Sequence, residues 1–128
     1  MNKEIKARWI QALRSGNYAQ GKYNLRRQDS YCCLGVLCDI VKDEVNYNWL
    51  PVDDSLGTFY KIYKIDQADE ILPESVAIYA GLNDCSPQVG VICTCEDEER
   101  VEYLQIANLN DSGDYSFEQL ADLIEKQF

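Results

Sequence analysis

A chain of 128 residues, 46% of them hydrophobic, carries enough apolar material for one core and one domain, 1–128. Its 22 acids against 12 bases give a net charge of −10, which argues against non-specific affinity for DNA or RNA; with no histidine at all, imidazole general bases and imidazole metal ligands are excluded. The charge is polarised as well: seven bases and one acid fall in residues 1–27, leaving +6 there and −16 on the rest.

Residues 3 to 14 read as a helix, because Ile5, Trp9 and Leu13 recur on one face beside Ala12 while Lys3, Lys6 and Arg14 lie off it. Gly16 is its expected left-handed stop. The stretch NYAQGKYNLRRQDS has no helical period and reads as a loop with a short strand around Tyr23 to Arg26, and it holds most of the basic cluster. Ser30 is the expected N-cap of a second helix, Tyr31 to Lys42. There Cys33, Leu34, Leu37, Cys38 and Val41 recur at helical spacing, and Cys32 and Val36 widen the apolar face. This should be the most buried helix, and Gly35 inside it predicts that another backbone passes close by.

From Asp43 to Asp69 the pattern weakens. Trp49, Leu50 and Pro51 interrupt it, Asp53 to Gly57 reads as a turn, and 58 to 65 reads as a strand. Pro73, taken as a first helical position, and Gly81 bracket a short helix with Val76, Ala77 and Ala80 inward. Val89 to Cys95 is a second β-prone run. The acidic run Glu96 to Glu99 reads as a solvated turn, and Val101 to Leu109 fits a strand or a short helix equally well. Ser116 and Gln119 form a capping box for a last helix with Phe117, Leu120, Ala121 and Ile124 on one face. The expected fold class is α+β: a single compact domain of three to four helices packed on a small antiparallel sheet.

The longest stretch free of charged side chains, Cys85 to Cys95, falls far short of the roughly 20 residues a spanning helix needs, and the charged start of the chain is no signal peptide. The expected setting is therefore cytoplasmic, with the six cysteines reduced and packed as small hydrophobes. A zinc site built from Cys32, Cys33, Cys38, Cys93 and Cys95 fits poorly, since neither CxxxxC nor CxC is a zinc knuckle. The segment Asn108 to Leu120 has the outline of a calcium loop, but Asn108 stands where an acid is needed and Gln119 where a bidentate Glu is needed; turn plus helix cap is the better reading. No metal, no cofactor and no catalytic residue is therefore assigned, and the chain reads as non-enzymatic.

Two surfaces remain as candidates. Arg14, Gln20, Lys22, Arg26 and Arg27 could hold an anionic small molecule such as a nucleotide signal, with Tyr31, Tyr18 and Tyr23 stacking on a base; the competing reading pairs these bases with acids elsewhere. The other candidate is the acidic surface, above all Asp53, Asp54, Glu96, Asp97, Glu98 and Glu99. In predicted loops, these side chains could occupy a basic groove on a partner protein.

Four blocks carry a family likeness: LRSGNYAQG (Leu13 to Gly21), YCCLGVLCD (Tyr31 to Asp39), LPESVAIYAGL (Leu72 to Leu82) and LNDSGDYSFEQLADLIE (Leu109 to Glu125). In these the chain resembles a family of small proteins encoded by bacteriophages, prophages and other mobile elements. The likeness brings no catalytic residues with it. It implies a genetic setting in which small accessory proteins act on the host, including as inhibitors of its defence systems. The expectation is accordingly a protein that binds a host defence or nucleic-acid-binding protein through its acidic surface. The alternative is a binding protein that sequesters an anionic ligand in the basic loop.

Overall fold

The computed structural model describes residues 1–52, 61–95 and 98–128, and the side chains of 93–95 are not among what is described. Helix α1 (Lys3–Arg14) forms where its periodicity predicts; Asn2 Oδ1 accepts from Ile5 N, and Ile5, Trp9 and Leu13 face inward. Trp9 is fully buried, and its indole N–H donates to the carbonyl of Cys33 at 2.9 Å, so the polar edge of the ring is satisfied inside the core.

Three two-residue strands follow, β1 (Ala19–Gln20), β2 (Arg26–Arg27) and β3 (Ser30–Tyr31). Ser30 is thus a strand residue, not a helix cap. Helix α2 (Cys33–Val41) starts later than the sequence suggests, and its N-cap is Cys32, whose Sγ accepts from Gly35 N at 3.4 Å. The reason is local: Tyr31 pairs with Arg26 across β2–β3, and Cys32 N donates to Leu25 O, which holds 30–32 extended. Seven of the nine residues of α2 are buried. A Cβ on Gly35 would lie 1.8 Å from the carbonyl oxygen of Leu25, so the predicted close backbone approach is real and only glycine permits it.

Strands β4 (Leu50–Pro51) and β5 (Ile62–Lys64) complete a sheet of order β1-β3-β2-β5-β4. The sheet is mixed and not antiparallel as expected, because β1 runs parallel to β3. The predicted turn Asp53 to Gly57 and the first residues of the predicted strand 58–65 lie outside the described residues. Helix α3 (Glu74–Ala80) is flanked by Pro73, which is its N-cap and not its first helical residue, and by Gly81 at φ 74°, whose N–H bonds the last carbonyls.

Strands β6 (Gln88–Cys95) and β7 (Glu98–Gln105) form a separate antiparallel ribbon, pairing among the described residues only with each other. The open choice at 101–109 resolves both ways. It is strand to Gln105 and then helix α4 (Ile106–Ser112), and Glu98 and Glu99 belong to the strand, not to a turn. Helix α5 (Phe117–Gln127) carries the predicted Ser116–Gln119 capping box and buries Phe117, Leu120, Ala121 and Ile124. There are thus five helices among the described residues, one more than the upper expectation, because α4 was folded into an ambiguous segment. The core is built by α2 at the centre with α1 and α4 against it and α5 against α1 and α4; Val89 of β6 and Ile106 of α4 join it, with Leu25, Ile65 and Leu72 from the connecting segments. Among the described residues no helix is long and apolar enough to cross a membrane.

Candidate functional site

The bases of the N-terminal segment go to separate neighbours. Arg14, on the outer side of α1, donates to Asp122 (2.6 Å) and Glu125 (2.8 Å) of α5, and these bonds push its pKa further up. Arg27 donates to Asn24 Oδ1 at 3.1 Å. Gln20 donates to Asn110 Oδ1 and to the Tyr115 carbonyl. Lys22 reaches over Gly113, and with Gln20, Asp114, Tyr115, Ser116 and Gln119 it lines an open cleft of about 410 Å³.

Arg26 has the most elaborate setting. Its guanidinium lies 4.2 Å from the ring centroid of Tyr63, 5.4 Å from Tyr31 and 5.9 Å from Trp49, and its Nε donates to the Gln28 carbonyl. Tyr31 meets Tyr18 edge-on at 5.1 Å and Trp49 at 6.0 Å. Asp39 anchors the group from behind: it accepts from the Tyr18 hydroxyl at 2.6 Å and from the Trp49 indole at 2.9 Å, with Lys42 Nζ at 3.6 Å. Burial, then the bond to Asp39, pushes the Tyr18 phenol well up. Two of the tyrosines read as base-stacking candidates, Tyr18 and Tyr31, are therefore brought together with Arg26, while Tyr23 sits apart and exposed. Sequence reasoning missed Asp39, Trp49 and Tyr63. Asp39 closes the YCCLGVLCD block and was in view; Trp49 and Tyr63 come from the stretch whose pattern is weakest.

A second constellation joins the sequence blocks. Asn110, in α4, is a fully buried polar side chain. Its Oδ1 accepts from Gln20 Nε2 and Cys33 N, and its Nδ2 donates to Gly21 O and Asp111 Oδ1, so both donors and both acceptor positions of the carboxamide are used. Asp111 Oδ1 also accepts from Tyr23 N. The residue that filled an oxygen position in the calcium-loop outline is thus a structural knot, and that part of the outline is helical.

The cysteines of α2 sit in the core. Cys32 is pushed up to about 11 by burial, and Cys33 and Cys38 are raised further still, so all three are thiols at neutral pH and poor nucleophiles.

Of the acidic candidates, Glu98 and Glu99 are exposed on β7, while Asp53, Asp54, Glu96 and Asp97 lie outside the described residues. Seven of the eight residues of β7 are exposed, Glu102 being the half-buried one. Among the exposed residues of the ribbon are the large apolar side chains Ile92, Val101, Tyr103 and Leu104, a feature that charge alone did not suggest.

Residues 1–128, the whole chain, match the family described as Domain of unknown function (DUF8296). The chain belongs to the DUF8296 family. No curated protein and no solved structure matches it.

Proposed function

We propose that this DUF8296 chain is a non-enzymatic, phage-type accessory protein that binds and inhibits a host defence or nucleic-acid-binding protein through its acidic surface. The observation that carries the reading is the exposure of β7, which presents Glu98 and Glu99 to solvent on a strand with no neighbour but β6 among the described residues. A body at −16 outside residues 1–27 attracts a surface that evolved for phosphates and repels nucleic acid itself. The alternative, capture of an anionic small molecule, needs Arg14, Lys22, Arg26 and Arg27 to converge, and each of them is engaged or placed elsewhere.

The test is binding of a defined basic nucleic-acid-binding protein of the host with and without competing DNA. The complex should weaken steeply with salt and be displaced by DNA. Replacing Glu98 and Glu99 with Gln should slow association while leaving the melting temperature unchanged. Salt-insensitive binding, or binding indifferent to those changes, would reduce the acids to a solubility feature.

A further inference from the structure

Resting on that reading, we infer where the partner sits: it docks on the face of the β6–β7 ribbon that carries Ile92, Val101 and Tyr103, and it offers there an apolar surface bordered by Lys or Arg. In the observed register Ile92 lies opposite Val101 and Gly90 opposite Tyr103, so these four positions share one side of the ribbon. Val89 belongs to the other side and is fully buried, which tethers the root of the ribbon to the core and turns the Ile92 side outward. Ile92 is 69% exposed, Val101 56% and Tyr103 65%. At Gly90 a Cβ would meet Val101 Cγ1 at 2.9 Å, Gln127 Nε2 at 3.2 Å and Tyr103 Cε1 at 3.5 Å, so Val101 and Tyr103 close over the glycine and the Gln127 amide of α5 borders the apolar surface at its root.

Contiguous apolar surface on the order of a few hundred Å², polar at its edge, marks an interaction site on a soluble domain. A two-stranded ribbon is marginal by itself and gains from a third layer.

The choice of occupant follows from charge. Toward the far end the same face terminates in Glu99, opposite Thr94, and the connection between the strands adds Glu96 and Asp97 in sequence. The one base of residues 88–105, Arg100, alternates to the opposite side. A second copy of the chain would bring the same acidic end and no base for Glu99. A basic partner supplies both the apolar contact and the counter-charge, with the apolar centre giving affinity and the charged end orientation and on-rate.

The experiment uses the full isotope-labelled chain and two short synthetic peptides, one alternating valine with lysine and one alternating valine with glutamate, followed by amide chemical shifts. The lysine peptide should perturb Ile92, Val101 and Tyr103 most. The charge-neutral double change Ile92→Ser with Val101→Ser should weaken it about tenfold at an unchanged melting temperature, and Tyr103→Ser should weaken it independently. Equal binding to parent and variants overturns the ribbon face and leaves only the general acidic attraction of the preceding proposal. No binding of the lysine peptide defeats both. A dimer in sedimentation that the double change dissolves assigns the face to a second copy and likewise overturns the inference.

Discussion

Helix α2 and strand β7 are nearly equal in length, yet seven of nine residues are buried in one and seven of eight exposed in the other. The helix is a packing solution: its glycine admits the Leu25 carbonyl, its cysteines replace larger hydrophobes, and its start is fixed by strand pairing upstream. The ribbon is held mainly at its root, where Val89 enters the core and Ile106 N donates to the Pro87 carbonyl. Substitutions in the first region should therefore be felt by the whole fold, and substitutions in the second by binding alone.

The sharpest way to break this contrast is Gly35→Val. Its Cβ has no room beside Leu25, so loss of the cooperative melt in circular dichroism is expected, while Leu34→Ala at a fully buried position should cost about 2–5 kcal/mol. If both variants melt like the parent, α2 is not the centre of the core.

Asn110→Leu comes next. It leaves Cys33 N and Gly21 O without their partner, and a loss of about 3 kcal/mol in chemical denaturation is expected.

A smaller effect comes from pH. The folded state holds Cys32, Cys33 and Cys38 as thiols above their ordinary value of 9.0, and Tyr18 and Tyr31 are raised as well. Groups raised in this way add stability that is complete below the unfolded pKa and is lost as pH climbs through the folded one. Denaturation midpoints should therefore fall between pH 9 and about 11, and native alkylation at neutral pH should spare all three α2 thiols. A flat alkaline profile would contradict their burial.

The smallest change is predicted for the ribbon: Ile92→Ser or Val101→Ser should shift stability by no more than about 0.5 kcal/mol. Amides of its distal half should exchange with deuterium well before those of α2. Equal protection in the two regions would mean that the ribbon is already covered.

How far this division could be read in the sequence depends on the range of the interactions. Helices α1 and α5 were legible because Ile5, Trp9 and Leu13 in one and Phe117, Leu120 and Ile124 in the other keep the helical period, with caps at the ends. Gly35 was legible too, as a residue that makes little sense in a helix unless something passes close. Ser30 misled because a good cap residue was already committed to a strand, and a cysteine sulfur did the capping. Four strands of the five-stranded sheet have two residues, too short to show alternation; only β5, within the run read as 58 to 65, and the start of β2, beside the short strand read around Tyr23 to Arg26, left a signal in the sequence. For the basic cluster the sequence left open a ligand site or pairing with acids elsewhere, because the partners that decide it, Tyr63, Asp122 and Glu125, are distant in the chain; Arg14 follows the second reading. The apolar side of the ribbon was present as a β-prone run, and the acids beside it drew the reading toward a turn.

The pairing of α1 with α5 also sets an order of events during synthesis. Arg14 and Lys6 meet their partners on α5 across 108 to 119 residues of chain. The apolar stripe of α1 is translated early, but α5 leaves the ribosome long afterwards, so Ile5 and Leu13 spend most of elongation without part of their final cover. The basic side chains beside that stripe help keep the waiting helix soluble. A nascent chain stalled before α5 is therefore the form in which this protein is most exposed to chaperones and proteases.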